Sequence, residues 1–217
     1  MSTFKKYHQS IFRTLGYPLS ERSAFPASVL TTAEKRLGIR IPAALRDYYL
    51  VAGRERRFNA CHNRLLSPNQ WTLDKHRLVF MEENQSVVLW GVSTRNPETA
   101  DPPVSQAIND ESLVWNLENR KCSQFLAVML HYQAVNGGFR FCGTGSVSDP
   151  PIDRLKRNGW KYAGAINSLT AYSRPNQAVC LMPPGDLPFM RHWSVLAGGK
   201  TKSDLSTIAA LIDTTLE

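Results

Sequence analysis

The chain of 217 residues reads as α+β: an N-terminal helical hairpin followed by a mostly antiparallel sheet with flanking helices. Three patterns predict it. Apolar residues recur at helical spacing between Gly and Pro punctuation before position 53, short β-like runs alternate with turn signals in mid-chain, and helical stripes return at 123–132 and 203–212. Strands clustered in the middle with helices at the flanks do not fit alternating βαβ units.

Taken in order, residues 1–26 are a polar, basic lead-in with one short helix expected over Tyr7–Leu15, stopped by Gly16 and Pro18. Leu30, Ala33 and Leu37 then share a helical face, and Gly38 stands where a helix ends in the left-handed conformation. Pro42 fits the first turn of a second helix, where its missing N–H is not needed, and Leu45, Tyr48, Tyr49 and Ala52 form the apolar stripe that runs up to Gly53. After the basic, turn-prone RERRFNACHNRLL, strands are expected at Arg77–Met81, Val87–Val92, Val104–Ile108 and Leu113–Leu117, the first two joined as a hairpin through Glu82-Glu83-Asn84-Gln85. Ser123 is expected to cap a helix with Phe125, Val128, Met129 and Tyr132 on one face, closed by Asn136, Gly137 and Gly138. The remainder reads as a strand at Phe139–Cys142, a helix at Ile152–Gly159, strands near Leu169–Tyr172 and Ala178–Met182, an extended piece at His192–Leu196, and a closing helix capped by Ser203 with Leu205, Ile208, Ala209 and Ile212 at helical spacing.

A typical domain of ~150 residues makes this length one large domain or a core with an appended subdomain. With 42% hydrophobic and 20% charged residues the chain has the composition of a folded protein and not of a disordered one. Apolar runs such as Val87–Val92 and Phe125–Leu130 fall far short of the ~20 residues that span a bilayer. The first twenty residues lack the apolar stretch of a secretion signal, so a cytoplasmic location is expected. Cys61, Cys122, Cys142 and Cys180 form no C-x-x-C pair and read as buried thiols, a disulfide requiring an oxidising compartment. The formal charge is +8, and residues 1–108 hold 15 of the bases against 9 acids, a balance that favours an anionic partner.

The templates of local chemistry fail one by one. Gly199-Lys200-Thr201 would close a phosphate loop only with a glycine where Ser194 stands, and Gly143-Thr144-Gly145 meets Ser148 where a dinucleotide fingerprint needs its third glycine. No two of His8, His62, His76, His131 and His192 have ligand spacing, so no metal and no cofactor are expected. Ser105 and Ser123 have no base nearby in sequence, and Glu82 and Glu83, adjacent in an extended segment, point to opposite sides. Two basic clusters remain: Arg54, Arg56, Arg57 and Arg64 interleaved with Phe58 and His62, and Arg154, Lys156, Arg157 and Lys161 beside Trp160. Arginine with aromatics suits nucleic acid and protein hot spots equally.

The order of the signals resembles a known family. Ala33-Glu34, Leu37-Gly38, Ile41-Pro42, Leu45–Tyr49 and Gly53, then Phe80–Gln85, Val87–Gly91 with Trp90, Asp101-Pro102-Pro103-Val104, Trp115 and the helix opening at Ser123–Leu126 are similar to the SUKH superfamily of Smi/Knr-like proteins over residues 27–138. The resemblance implies a non-enzymatic α+β module, in bacteria mostly an immunity protein that neutralises a toxin of a polymorphic or contact-dependent system. It carries no catalytic residue. Its motif positions, Gly38, Pro42, Gly53, Glu83, Asn84, Gln85, Trp90, Asp101 and Pro103, are expected to serve turns and packing.

The expectation is therefore a basic lead-in at 1–26, a SUKH-like core at 27–138 and an extension at 139–217 packed on that core as one continuous domain. The expected activity is stoichiometric binding of a cognate protein toxin with an acidic contact surface, with no membrane and no small-molecule substrate involved. Arg54, Arg56, Arg57, Arg64 and Trp71, with Glu82 and Glu83, are the candidate partner-binding residues. The alternatives are a nucleic-acid-binding accessory domain using the basic clusters and, with least support, an enzyme assembled from distant residues such as His76 and Glu83.

Overall fold

The computed structural model describes residues 2–185 and 191–217 and bears out the α+β reading, with helices at the N-terminus followed by antiparallel sheets and flanking helices. The chain divides into two compact units, one formed by residues up to Ser10 with Pro18–Leu126, the other by Ile11–Tyr17 with Ala127–Glu217. Two of the three boundaries fall within helix α1 (Thr3–Thr14) and helix α5 (Cys122–Gln133), and the third follows α1 between Tyr17 and Pro18.

In the first unit, α2 (Ala27–Leu37) and α3 (Ala43–Ala52) form the expected hairpin. Gly38 ends α2 at φ +65°, a conformation that costs a Cβ-bearing residue more than glycine. Glu34 pins the turn: its carboxylate accepts the Ile41 N–H at 3.0 Å and pairs with Arg46 at 2.9 Å. Pro42 stands at the N-cap, one position before the expected first turn. Gly53 follows α3 where a Cβ would meet Phe25 and Tyr49 at 2.8 Å, so packing excludes a side chain there.

The sheet of this unit comprises β1 (Arg64–Leu65), β2 (Thr72–Asp74), β3 (Arg77–Glu82), β4 (Val88–Ser93), β5 (Val104–Ile108) and β6 (Asn116–Asn119), all antiparallel, in the order β1-β3-β4-β5-β6 with β2 also on β3. One face is closed by Phe125 of α5, whose ring lies 5.8 Å from Phe80 and 6.0 Å from Trp90. Helix α5 opens at Cys122, and its cap is not the Ser123 side chain: the Asp101 carboxylate accepts the Ser123 N–H at 2.7 Å and its hydroxyl at 2.6 Å. The expected strand at Leu113–Leu117 is displaced to Asn116–Asn119, because Trp115 leaves the ladder and its indole donates to Asp74 at 2.7 Å. β1, β2 and the single turn α4 (Arg56–Asn59) are too short to leave a periodic signal in the sequence.

The second unit carries its own five-stranded sheet: β7 (Phe141–Val147), β8 (Lys161–Ile166), β9 (Leu169–Arg174), β10 (Gln177–Met182) and β11 (Trp193–Gly199), antiparallel in the order β7-β11-β10-β9-β8. With α6 (Ile152–Arg157) and α7 (Lys202–Ile212) it buries Leu155, Trp160, Val179, Leu181, Val195, Ile208 and Ile212 in one cluster. The strand expected at Phe139–Cys142 begins two residues later and continues through Gly143 and Gly145, which disguised it. The closing helix is capped by Thr201 and not by Ser203: the Thr201 hydroxyl accepts the Asp204 N–H at 3.1 Å while the Asp204 carboxylate accepts the Thr201 N–H at 2.8 Å. Among the described residues no helix is long and apolar enough to cross a membrane.

Candidate functional site

Strand register in the first unit fixes which side chains share a face, since residues directly opposite in an antiparallel pair point the same way. Trp90, packed on Phe125, marks the inner face. The neighbouring position, Gly91, belongs to the outer face, where three cross-strand rows line up: Arg64–Glu82–Leu89–Ala107, Thr72–Val79–Gly91–Ser105–Leu117, and Asp74–Arg77–Ser93. Phe80 is the extra residue of a bulge in β3, which lets Val79 and Glu82 fall on the same face.

The indole of Trp115 lies over the middle of this outer face. A Cβ on Gly91 would stand 2.8 Å from its Cη2, so glycine leaves room for the ring to rest on the sheet. Its Nε1–H donates to Asp74 at 2.7 Å, and the Arg77 guanidinium lies over the ring at 5.6 Å from its centroid. Leu117 on the same face is 55% exposed, Leu89 is half-buried, and Val87, which leads into β4 on this side, is 49% exposed. At the edge Arg64 pairs with Glu82. The result is an aromatic and aliphatic surface bordered by charge, the composition of an interface core with its rim.

Of the residues singled out from sequence, Arg64 and Glu82 meet on this face. Glu83 turns away from it and accepts the Gln85 N–H at 2.9 Å within the β3–β4 turn, and Asn84 contacts His62 at 3.5 Å. Arg54 lies over Phe25 at 5.6 Å and donates its N–H to Ser23, while Arg56 and Arg57 are exposed on α4. Trp71 requires a correction. It is fully buried, stacked edge-on against Tyr49 at 4.8 Å with its indole N–H bonded to the Tyr49 hydroxyl and the Leu66 carbonyl, so it is a core residue and presents nothing to a partner. The motif residues Gly38, Pro42, Gly53, Trp90 and Asp101 all occupy turns, caps or core, and Pro103 accepts the Ser93 N–H through its carbonyl.

Trp115 and Arg77 were not among the candidates. Trp115 entered only as part of the family pattern, and Arg77 only as the start of a strand; the signal available in the sequence was the Asp74…Arg77 hairpin followed by a tryptophan that breaks a strand pattern.

Phe58 and Trp160 of the two basic clusters are withdrawn from solvent. Phe58 is 1% exposed, and Trp160 is 4% exposed beneath the Arg174 guanidinium at 5.1 Å. In the second unit a histidine meets a serine: the His131 Nδ1–H donates to the Ala127 carbonyl at 2.7 Å and Nε2 accepts from the Ser173 hydroxyl at 2.9 Å. Both side chains are buried, which makes the pair a satisfied core network and not a nucleophile open to substrate. Burial holds His131 down to about 4, and does the same to His8 in the first unit. Among the described residues no three His, Cys, Asp or Glu side chains are grouped to hold a metal ion.

No family model, no curated protein and no solved structure matches this chain.

Proposed function

We propose that this chain is a non-enzymatic, SUKH-like immunity protein that acts in the cytoplasm by sequestering a cognate protein toxin. The observation that carries the reading is the outer face of the first sheet, where Trp115, Leu89, Leu117 and Val87 leave apolar surface in solvent between Arg77 and the Arg64–Glu82 pair. Tryptophan and arginine are the side chains that most often dominate binding energy when a partner excludes water from them. A partner with an acidic contact patch is favoured by the formal charge of +8, which speeds encounter with an opposite charge.

Coexpression with the variable C-terminal domain of a large secreted protein encoded beside this chain tests the reading. Restored growth and a one-to-one complex are expected; intact folding of both partners with neither rescue nor complex rejects that pairing.

Nucleic-acid binding is the second reading, supported by the exposed Tyr162 beside Lys161 and by α4 arginines in solvent. Salt separates the two. Phosphate-driven binding weakens by orders of magnitude between about 50 and 200 mM salt, whereas a water-excluding protein interface mainly loses association rate.

A further inference from the structure

We propose that Arg77, held against the indole of Trp115, is a preformed anchor for a carboxylate of the docking partner, an inference that rests on the outer sheet face being the docking surface. The guanidinium sits 5.6 Å from the ring centroid, and its Nε is buried without a hydrogen-bond partner. Among the described residues Arg77 forms no ion pair. The Nη atoms are not buried, and they are the donors that a partner's carboxylate would meet.

The surroundings select what that acceptor is. Asp74 stands directly across the ladder from Arg77, yet its Oδ2 is engaged by the Trp115 Nε1–H at 2.7 Å. Asp74 is thus a positioning residue: it orients the ring on which the guanidinium rests. The turn joining β2 to β3 adds Lys75, with its Nζ on the Leu113 carbonyl at 3.3 Å, and Arg95 is exposed just beyond β4. The only other acid on the three rows, Glu82, is already paired with Arg64. The local charge is therefore positive and the guanidinium fork is planar, which matches two oxygens of a carboxylate and not a neutral amide. Leu117, on the row that contains Gly91, supplies the apolar rim that keeps water from such a pair. A phosphodiester shares the charge but brings a base to stack, and the exposed aromatic beside the basic clusters, Tyr162, belongs to the second unit and not to this sheet.

Nuclear magnetic resonance of the full chain labelled with nitrogen-15 tests the anchor through the Trp115 indole N–H and the Arg77 Nε–H. The probes are N-acetyl-glutamate α-amide and its neutral counterpart N-acetyl-glutamine α-amide. The acid is expected to move both signals saturably with a preference of at least about tenfold over the amide. Arg77→Gln abolishes that preference, and Lys35→Gln, at an exposed position of α2, retains it. Arg77→Lys, which keeps the stem and charge without the fork, serves should the glutamine variant not fold, and lowers the preference at least about fivefold. Equal response to both probes, or a preference unchanged in either Arg77 variant, overturns the anchor. So does a hexathymidylate probe that moves the same signals at lower concentration than the acid, which assigns the site to nucleic acid. The docking reading fails separately: acid preference at Arg77 with no toxin neutralised leaves the anchor standing. Growth rescue lost in Leu117→Asp but untouched in Arg77→Gln removes the anchor and keeps the docking face.

Discussion

A Cβ placed on Gly145 would stand 2.5 Å from the carbonyl oxygen of Thr215, so the segment after α7 can lie on strand β7 only because that strand carries glycine at this point. The Thr144 N–H donates to the Glu217 carbonyl at 2.8 Å, the Glu217 N–H returns a bond at 3.0 Å, and the Thr214 hydroxyl donates to the Ser146 carbonyl at 2.8 Å. β7 is the edge of the second sheet, and residues 214–217 cover donors and acceptors that would otherwise invite another strand.

Gly145→Val should therefore dislodge that segment, despite valine being the better strand former. A loss of about 1–3 kcal/mol is expected by chemical denaturation, with faster amide exchange at Thr144 and Glu217 and concentration-dependent self-association by light scattering. Thr144→Val, at an exposed position of the same strand, should stay within about 0.5 kcal/mol. Equal stability and equal exchange in the two variants would show that the segment does not depend on the glycine.

The buried histidines predict acid lability. Burial lowers His8 and His131 to about 4 in the folded chain, against 6.5 for the ordinary group. The unfolded chain then binds the extra protons first, so stability falls as the pH drops from about 6.5 and the loss is complete once pH passes below about 4. Each histidine accounts for about 3 kcal/mol over that window. Denaturation midpoints measured from pH 8 to 4 should show the decline, and His131→Gln should flatten it by about half; an unchanged pH slope in that variant would remove His131 from the account.

Asp101 should matter to stability and not to docking. Its carboxylate holds both the N–H and the hydroxyl of Ser123 at the start of α5. Asp101→Ala is expected to lose about 1–2 kcal/mol while leaving the acid preference at Arg77 intact. A variant of normal melting temperature would contradict the capping role.

Two residues grouped together as partner anchors from sequence should separate cleanly by experiment. Trp71→Ala removes a fully buried ring and its two hydrogen-bond contacts, for a loss of about 3–5 kcal/mol. Arg64→Ala removes one partner of a pair whose arginine side chain is 54% exposed, and should shift stability by less than about 1 kcal/mol. Thermal melts of the two variants decide the matter, with similar midpoints counting against the assignment of Trp71 to the core.

Legibility in the sequence followed the range of the interaction. Leu30, Ala33 and Leu37 with Gly38, and Leu45, Tyr48 and Tyr49 ahead of Gly53, spell out a helical hairpin because three- and four-residue spacing and a chain-reversing glycine are local properties. The hairpin of β3 and β4 was equally plain, its apolar runs flanking a polar turn. β7 was half hidden because Gly143 and Gly145 carry no strand propensity, and their reason for being there is a segment some seventy positions away.

What the sequence determined by itself is the α+β class, the approximate positions of its longer helices and the basic balance of its charge, since composition and short-period patterning suffice for each. Which tryptophan is core and which lies on the surface was decided only by tertiary structure. Trp71 and Trp115 are chemically identical, but one meets Tyr49 inside the first unit and the other meets Asp74, 41 positions earlier, on the outer face of a sheet. Pairings of that separation are set by strand register, where a slip of one residue exchanges the two faces, and register is a property of the assembled sheet and not of any window of the chain.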